Sequence, residues 1–124
     1  MVARSNQHSP WDFVDAFSRR DLLQSLSILN ALQNETPVSL LYLCVIRLRE
    51  LLYYKSLLAL GDRDIPKALS KPDWQIRRID ALASRYKASE LRKLLSKAAN
   101  ADMRMKSGEN AQLVFEELIL SSCQ

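Results

Sequence analysis

The chain has 124 residues and a net charge of +4, with 48% hydrophobic and 26% charged residues. This composition fits one globular domain with its own core, and it excludes a disordered or membrane-embedded chain. Two glycines are too few for the turns of a β-hairpin or β-sandwich protein, so we expect an all-α fold. The start of the chain lacks the apolar segment of a signal peptide, and we expect a cytoplasmic protein with no membrane contact.

Apolar spacing, prolines and glycines predict seven helices in chain order. Residues 1–9 are polar and are expected to be a disordered or linker segment. Pro10 and Pro37 suit first helical positions, and Gly108 is placed to end a helix in the left-handed conformation. The prediction is a single bundle of about six to seven helices within residues 10–124. Its helices are expected over 10–17, 19–33, 37–60, 65–69, 72–86, 90–106 and 111–121.

The long third helix is apolar on two sides. One side carries Leu41, Cys44, Val45, Leu48, Leu52 and Ala59, and the other carries Leu43, Ile46, Tyr53 and Leu57. Such a helix is either central in its own domain or presents one side to a partner, and the pattern leaves both possibilities open. The last helix likewise places Leu113 and Leu120 away from its main apolar face.

An aspartate follows the apolar spacing of the sixth helix. Asp102 continues the series Leu91, Leu94, Leu95, Ala98 and is followed by Met105, so we expect it inside the buried face. A buried carboxylate needs a partner. Lys106 lies four residues further along the same helix, and Arg49 or Arg47 of the third helix are alternatives. We expect a structural ion pair that fixes helix packing.

Positive charge is concentrated in residues 71–106, where ten Lys or Arg stand against four Asp or Glu. The section is either a solvated helix face or a surface for phosphate or an acidic partner. The candidates for nucleic-acid contact are Arg77, Arg78, Arg85, Lys93 and Lys97. Residues 64–78 could also form a helix-turn-helix, although an ordinary helical bundle often gives the same pattern. Trp74 is expected to be a core or interface anchor.

The sequence contains no recognisable catalytic, metal or cofactor site. Its only histidine, His8, lies in the polar N-terminal segment. Cys44 and Cys123 are too few and too far apart for a metal site or a disulfide framework. The two glycines are too far apart to form a phosphate-binding loop. We therefore expect a protein that is not an enzyme and has no cofactor and no small-molecule substrate.

Four segments, taken in order and with their spacing, carry a family resemblance. They are WDFVDAFSRRD at 11–21, IRLRELLYYK at 46–55, AANADMRMKSG at 98–108 and FEELIL at 115–120. Together they resemble the C-terminal domain of the delta subunit of bacterial DNA polymerase III, which belongs to the clamp loader. Arg49 and Lys55 stand at the matching basic positions of the central helix. The resemblance covers roughly residues 10–122.

The resemblance implies a collar domain that holds the clamp loader together. The expected partners are the gamma/tau and delta-prime clamp-loader subunits, with DNA contacted only weakly or within the complex. The AAA+-like N-terminal modules of the family are absent, so the chain is expected neither to hydrolyse ATP nor to open a clamp. The parent holoenzyme is a DNA-directed DNA polymerase. Residues 107–110 contain no aromatic residue, so a template-stacking role is not transferred.

The second apolar sides become candidate partner interfaces under this interpretation, namely Leu43, Ile46, Tyr53, Leu57, Leu113 and Leu120. The alternative is a stand-alone helical adaptor that binds nucleic acid or protein through residues 71–106. Salt discriminates between the two, because nucleic-acid binding weakens steeply with ionic strength and apolar association does not.

Overall fold

The computed structural model describes residues 8–32, 34–61 and 63–123, and within these ranges it is all-helical, as the composition predicts. Residues 1–7 of the expected linker and residue 33 of the expected second helix lie outside the described residues. The seven helices are α1 (Pro10–Ser18), α2 (Leu22–Ala31), α3 (Pro37–Ala59), α4 (Ile65–Leu69), α5 (Asp73–Ala83), α6 (Ala88–Lys106) and α7 (Ala111–Ser122).

Polar side chains fix the starts of most helices by accepting hydrogen bonds from free backbone N–H groups. Ser9, in the segment expected to be a linker, forms a reciprocal capping box with Asp12 ahead of α1. Thr36 caps α3, and Asn110 caps α7. Gly108 adopts a φ of +104° after α6, as the sequence predicts, and lets the chain turn into α7.

Two helix starts differ from the prediction by two residues or more. The second helix begins at Leu22 rather than residue 19, because Arg20 takes a left-handed φ of 63° and Asp21 then caps the helix. The sixth helix begins at Ala88, ahead of the expected cap at Ser89. Here the backbone N–H of Lys87 donates to the Glu90 carboxylate at 2.8 Å.

The central element is α3, which packs against α1, α5, α6 and α7 and also contacts α4. Its residues Leu40, Cys44, Leu48 and Leu51 are fully buried. Three aromatic rings join α1 and α7, with ring centroids 6.1 Å apart for Phe13 and Phe17 and 5.5 Å for Phe13 and Phe115. Such side chains dominate the free energy gained by burying apolar surface.

Arg20 ties the loop after α1 to three distant parts of the chain. Its guanidinium donates to the Ser122 carbonyl at 3.0 Å and to the Arg85 carbonyl at 2.8 Å, and it lies over the ring of Tyr86. It also pairs with Glu90 at 3.5 Å. The Lys87 backbone N–H, together with the charge of Arg20, lowers the pKa of Glu90. Arg20 thus joins the ends of α1, α5 and α7 to the start of α6.

Candidate interaction surfaces

The second apolar side of α3 is only partly available to a partner. Ile46 and Tyr53 are exposed, Tyr53 by 50%, whereas Leu43 is partly buried against the core. Leu57 is 7% exposed and belongs to the core, so its assignment to an interface was wrong. A bundle of this size packs helices around its central element. The end of the second apolar side that carries Leu57 is therefore covered by the domain itself.

One face of α7 remains uncovered. Leu113 and Leu120 are both exposed and lie seven residues apart, which places them on the same face of the helix. The opposite face buries Val114, Phe115 and Leu118 in the core. Exposed leucines at helical spacing mark this face as a second candidate for contact with a partner.

A third apolar surface, which sequence reasoning missed, lies between α3 and α6. We call it the α3–α6 groove, and its volume is about 710 Å³. Tyr42 is 66% exposed, with Val38 and Val45 on the same side of α3. Its lining residues are Thr36, Val38, Ser39, Leu41, Tyr42, Val45, Arg49, Leu95, Ala98, Ala99, Asp102 and Lys106. The sequence did not predict this surface for two reasons. Tyr42 carries a polar hydroxyl, and helical spacing does not distinguish this face of α3 from the neighbouring face that packs on the core.

The predicted ion pair between Asp102 and Lys106 is present, with 2.9 Å between Nζ and the carboxylate. The burial predicted for Asp102 is wrong, because its side chain is 37% exposed and Ala101 takes the buried position instead. Arg49 forms no ion pair with any residue that the structure describes, although it lines the same groove as Asp102. The pair therefore lies on the groove rather than in the core.

A more buried ionic cluster forms around Arg47, the residue considered as an alternative partner for Asp102. Its guanidinium donates to Asp15 at 2.9 Å and to the Ser18 hydroxyl at 3.0 Å. Asp15 also binds Arg78. Arg47 lies over the Trp11 ring, 5.7 Å from its centroid, at a distance typical of a cation–π contact. The cluster joins α1, α3 and α5, and no pattern in the sequence indicated Asp15 as its centre.

The five basic residues proposed for nucleic-acid contact do not form a single groove. Arg78 is held by Asp15, and Arg85 donates to the Arg19 carbonyl at 3.2 Å. Lys93 and Lys97 line a different groove, between α6 and α7, where Lys97 donates to the Ser121 hydroxyl. Arg77 lies on α5 and lines neither the groove of Lys93 and Lys97 nor the one that Arg78 lines.

Trp74 is 57% exposed, so the expected role as a core anchor is excluded. On α5, Trp74 precedes Arg77 by three residues and Arg78 by four. This spacing places an aromatic ring beside two cations on the helix surface. An interface role for Trp74 is compatible with this exposure.

Neither a metal cluster nor a membrane helix is found where the structure is described. No three His, Cys, Asp or Glu side chains converge there in a way that could hold a metal ion. No helix in the described ranges has the length and apolar character needed to cross a bilayer. The described residues do show exposed apolar surfaces on α3, α6 and α7 and separated basic residues.

Comparisons with known proteins agree with the resemblance carried by the four segments. The sequence profile of the family described as DNA polymerase III delta subunit, C-terminal domain, matches residues 7–122. Among solved structures, the Bacillus subtilis DNA clamp loader delta protein (YqeN) is similar, with a TM-score of 0.77 and 26% sequence identity. The match covers 99% of this chain and 38% of that chain. No curated protein sequence matches the chain significantly.

Proposed function

The chain belongs to the family formed by the C-terminal domains of DNA polymerase III delta subunits, and from this we propose that it serves as a collar domain. In this role it associates with the gamma/tau and delta-prime subunits to assemble the clamp loader, which loads the sliding clamp onto DNA during replication. The domain itself catalyses no reaction in this proposal. The chain spans 38% of the length of the B. subtilis protein that it matches.

The observation that carries the proposal is the combination of a complete core with large apolar side chains left outside it. Phe13, Phe17 and Phe115 are fully buried in the single core of the described helices. Ile46 and Tyr53 on α3 and the leucines of α7 nevertheless remain exposed. Apolar side chains on two helix faces suit a domain with a neighbour on more than one side.

The proposal is tested by mixing this chain with purified gamma/tau and delta-prime subunits and analysing the mixture by size exclusion at moderate salt. Co-elution of the chain with either of them is the expected result. A Leu113→Glu, Leu120→Glu double variant should fold normally and elute separately if α7 forms one of the contacts. Separate elution of the folded wild-type chain from both folded partners contradicts the proposal.

A second function, nucleic-acid binding, is favoured by one observation. Trp74 is exposed on the same helix surface as Arg77 and Arg78, and aromatic rings beside cations are used to bind single strands. Titration with a fluorescent single-stranded oligonucleotide tests it. Binding that weakens steeply with salt, and that is lost in Trp74→Ala but kept in Leu60→Ala, supports this function. Leu60 is an exposed apolar residue outside α5, so it serves as the control.

A further inference from the structure

We propose that the α3–α6 groove binds an amphipathic helix of a neighbouring clamp-loader protein, and that this helix carries a carboxylate which pairs with Arg49. The inference rests on the collar function proposed above and names the chemistry of the partner at one of its surfaces. None of the sequence-predicted interface residues lines this groove. It therefore adds a third contact surface to those of α3 and α7.

The shape of the groove suits a helix. Two rows of side chains run along it, one from α3 and one from α6, and the residues of each row recur at helical spacing. On α3 the row extends from Val38 to Arg49, a separation of about 16 Å at the rise of an α-helix. That length accommodates about three turns of a partner helix, with apolar anchors at the i, i+3 or i+4 and i+7 positions.

Small residues on one wall leave the groove open. Ala98 is buried where α6 packs against α3, and Ala99 beside it also lines the groove. Larger side chains here would fill the space between the two helices. Tyr42 stands 66% exposed on the opposite wall. A leucine- or phenylalanine-sized side chain from a partner fits between these walls and removes apolar surface from water.

The charges of the groove select an acidic partner. Asp102 and Lys106 neutralise each other on the α6 wall at 2.9 Å. Arg49 lines the α3 wall, at the border with the exposed surface of Ile46 and Tyr53, and forms no ion pair within the described part of the chain. The neighbouring arginine, Arg47, is held by Asp15 and faces a different groove. The uncompensated charge on this surface, among the described residues, is thus positive, and electrostatic complementarity requires a carboxylate on the partner.

The first test measures binding of purified gamma/tau and delta-prime to groove variants of this chain. Ala99→Trp fills the groove and Arg49→Glu reverses its free charge, and each should weaken binding at least about tenfold. Ala81→Trp on the exposed side of α5 and Arg92→Glu on α6 are matched controls outside the groove, and they should bind as the wild type does. Circular dichroism checks that all four variants keep their helix content.

The second test identifies the occupant directly. A photoreactive benzoylphenylalanine placed at position 42 should crosslink, within the complex, to a partner helix that contains Asp or Glu. Replacing that acidic residue by Arg in the partner should restore binding to the Arg49→Glu variant. Crosslinking to a second copy of this chain instead, or to added oligonucleotide, overturns the assignment.

The outcomes separate this inference from the collar function. If the wild type binds the partners and both groove variants bind equally well, the groove assignment is overturned and the collar function stands. If the folded wild type binds neither partner, the collar function is overturned and the groove assignment with it. Loss of binding in the groove variants alone, with binding retained in the controls, supports both.

Discussion

At the scale of single residues, Arg47 organises the most deeply buried ionic cluster in the described part of the chain. It is buried, and it links Asp15 and Ser18 of α1 to α3 while Asp15 also holds Arg78 of α5. Burying a charge costs free energy unless the charge is paired and hydrogen-bonded. Removing one member of the cluster therefore leaves the others buried with fewer partners and destabilises the fold. This cluster fixes how three helices meet.

Replacing Arg47 by Met should lower the free energy of unfolding by about 2–3 kcal/mol. The loss falls below the roughly 3–5 kcal/mol of a fully uncompensated buried charge, because Asp15 keeps Arg78 as a partner. Urea unfolding measures it. The control is Arg78→Met, whose side chain is half exposed and whose loss should cost about 1 kcal/mol or less. Equal effects of the two substitutions contradict the central role of Arg47.

Arg20 combines a left-handed backbone with hydrogen bonds to two distant carbonyls. Arg20→Ala should destabilise the domain by about 2 kcal/mol, since these are hydrogen bonds from a charged donor. Arg20→Gly loses the same bonds but removes the strain of a positive φ, and should therefore be about 1 kcal/mol less destabilising. Thermal unfolding of the two variants tests this difference in stability. A higher stability of the alanine variant than of the glycine variant would contradict the prediction.

Tyr54 makes the stability depend on alkaline pH. Burial, together with the hydrogen bond that its hydroxyl donates to Asp80 at 2.6 Å, raises the pKa of Tyr54 to about 12. An unfolded tyrosine ionises near pH 10, so the unfolded state loses its proton first. The stabilisation is complete below about pH 10 and is lost as pH rises through about 12. Unfolding free energies measured across this range should fall less steeply in Tyr54→Phe, and an unchanged slope would contradict the assignment.

The limits of prediction at this scale are physical. The i,i+4 pair of Asp102 and Lys106 follows from one helix alone, so the sequence predicts it. The cluster of Arg47 depends on how α1, α3 and α5 meet, which no spacing along the chain specifies. The burial of Asp102 was mispredicted because a carboxylate four residues after Ala98 fits the apolar spacing, whereas the packed helix turns Ala101 inward.

At the scale of elements, the sequence predicts all seven helices of the described chain, and most of their ends lie close to those observed. Prolines and capping side chains act locally, which is why these ends are predictable. The start of α2 is different, because it depends on Arg20, whose left-handed conformation is held by contacts with Arg85 and Ser122 far along the chain.

The exposed side of α3 provides a test at this scale. An Ile46→Glu, Tyr53→Glu double variant should keep its helix content and bind the clamp-loader partners at least about tenfold more weakly. The matched variant Leu57→Glu should instead lose helix content, because it places a carboxylate in the core. Circular dichroism and a binding titration distinguish the two outcomes. Unfolding of the double variant would place Ile46 and Tyr53 in the core and contradict the surface assignment.

At the scale of the whole molecule, the fold class and the family follow from composition and from the order of four segments. The sequence predicts the interaction surfaces less accurately than it predicts the fold and the family. Helical spacing identifies which residues of α3 and α7 are apolar on a second side, but only packing decides that Leu57 is covered while Tyr42 is not. The α3–α6 groove requires two helices separated in sequence to meet, so neither helix reveals it alone.

In the proposed function, this domain assembles with clamp-loader proteins through apolar surfaces. Sedimentation velocity of the labelled chain with gamma/tau and delta-prime, at about 50 mM and about 200 mM salt, tests it most directly. We predict a complex at both salt concentrations, with affinities within about tenfold of each other, since apolar association is not weakened by salt. The absence of a complex at either concentration, with oligonucleotide binding that falls steeply over the same range, would contradict the claim.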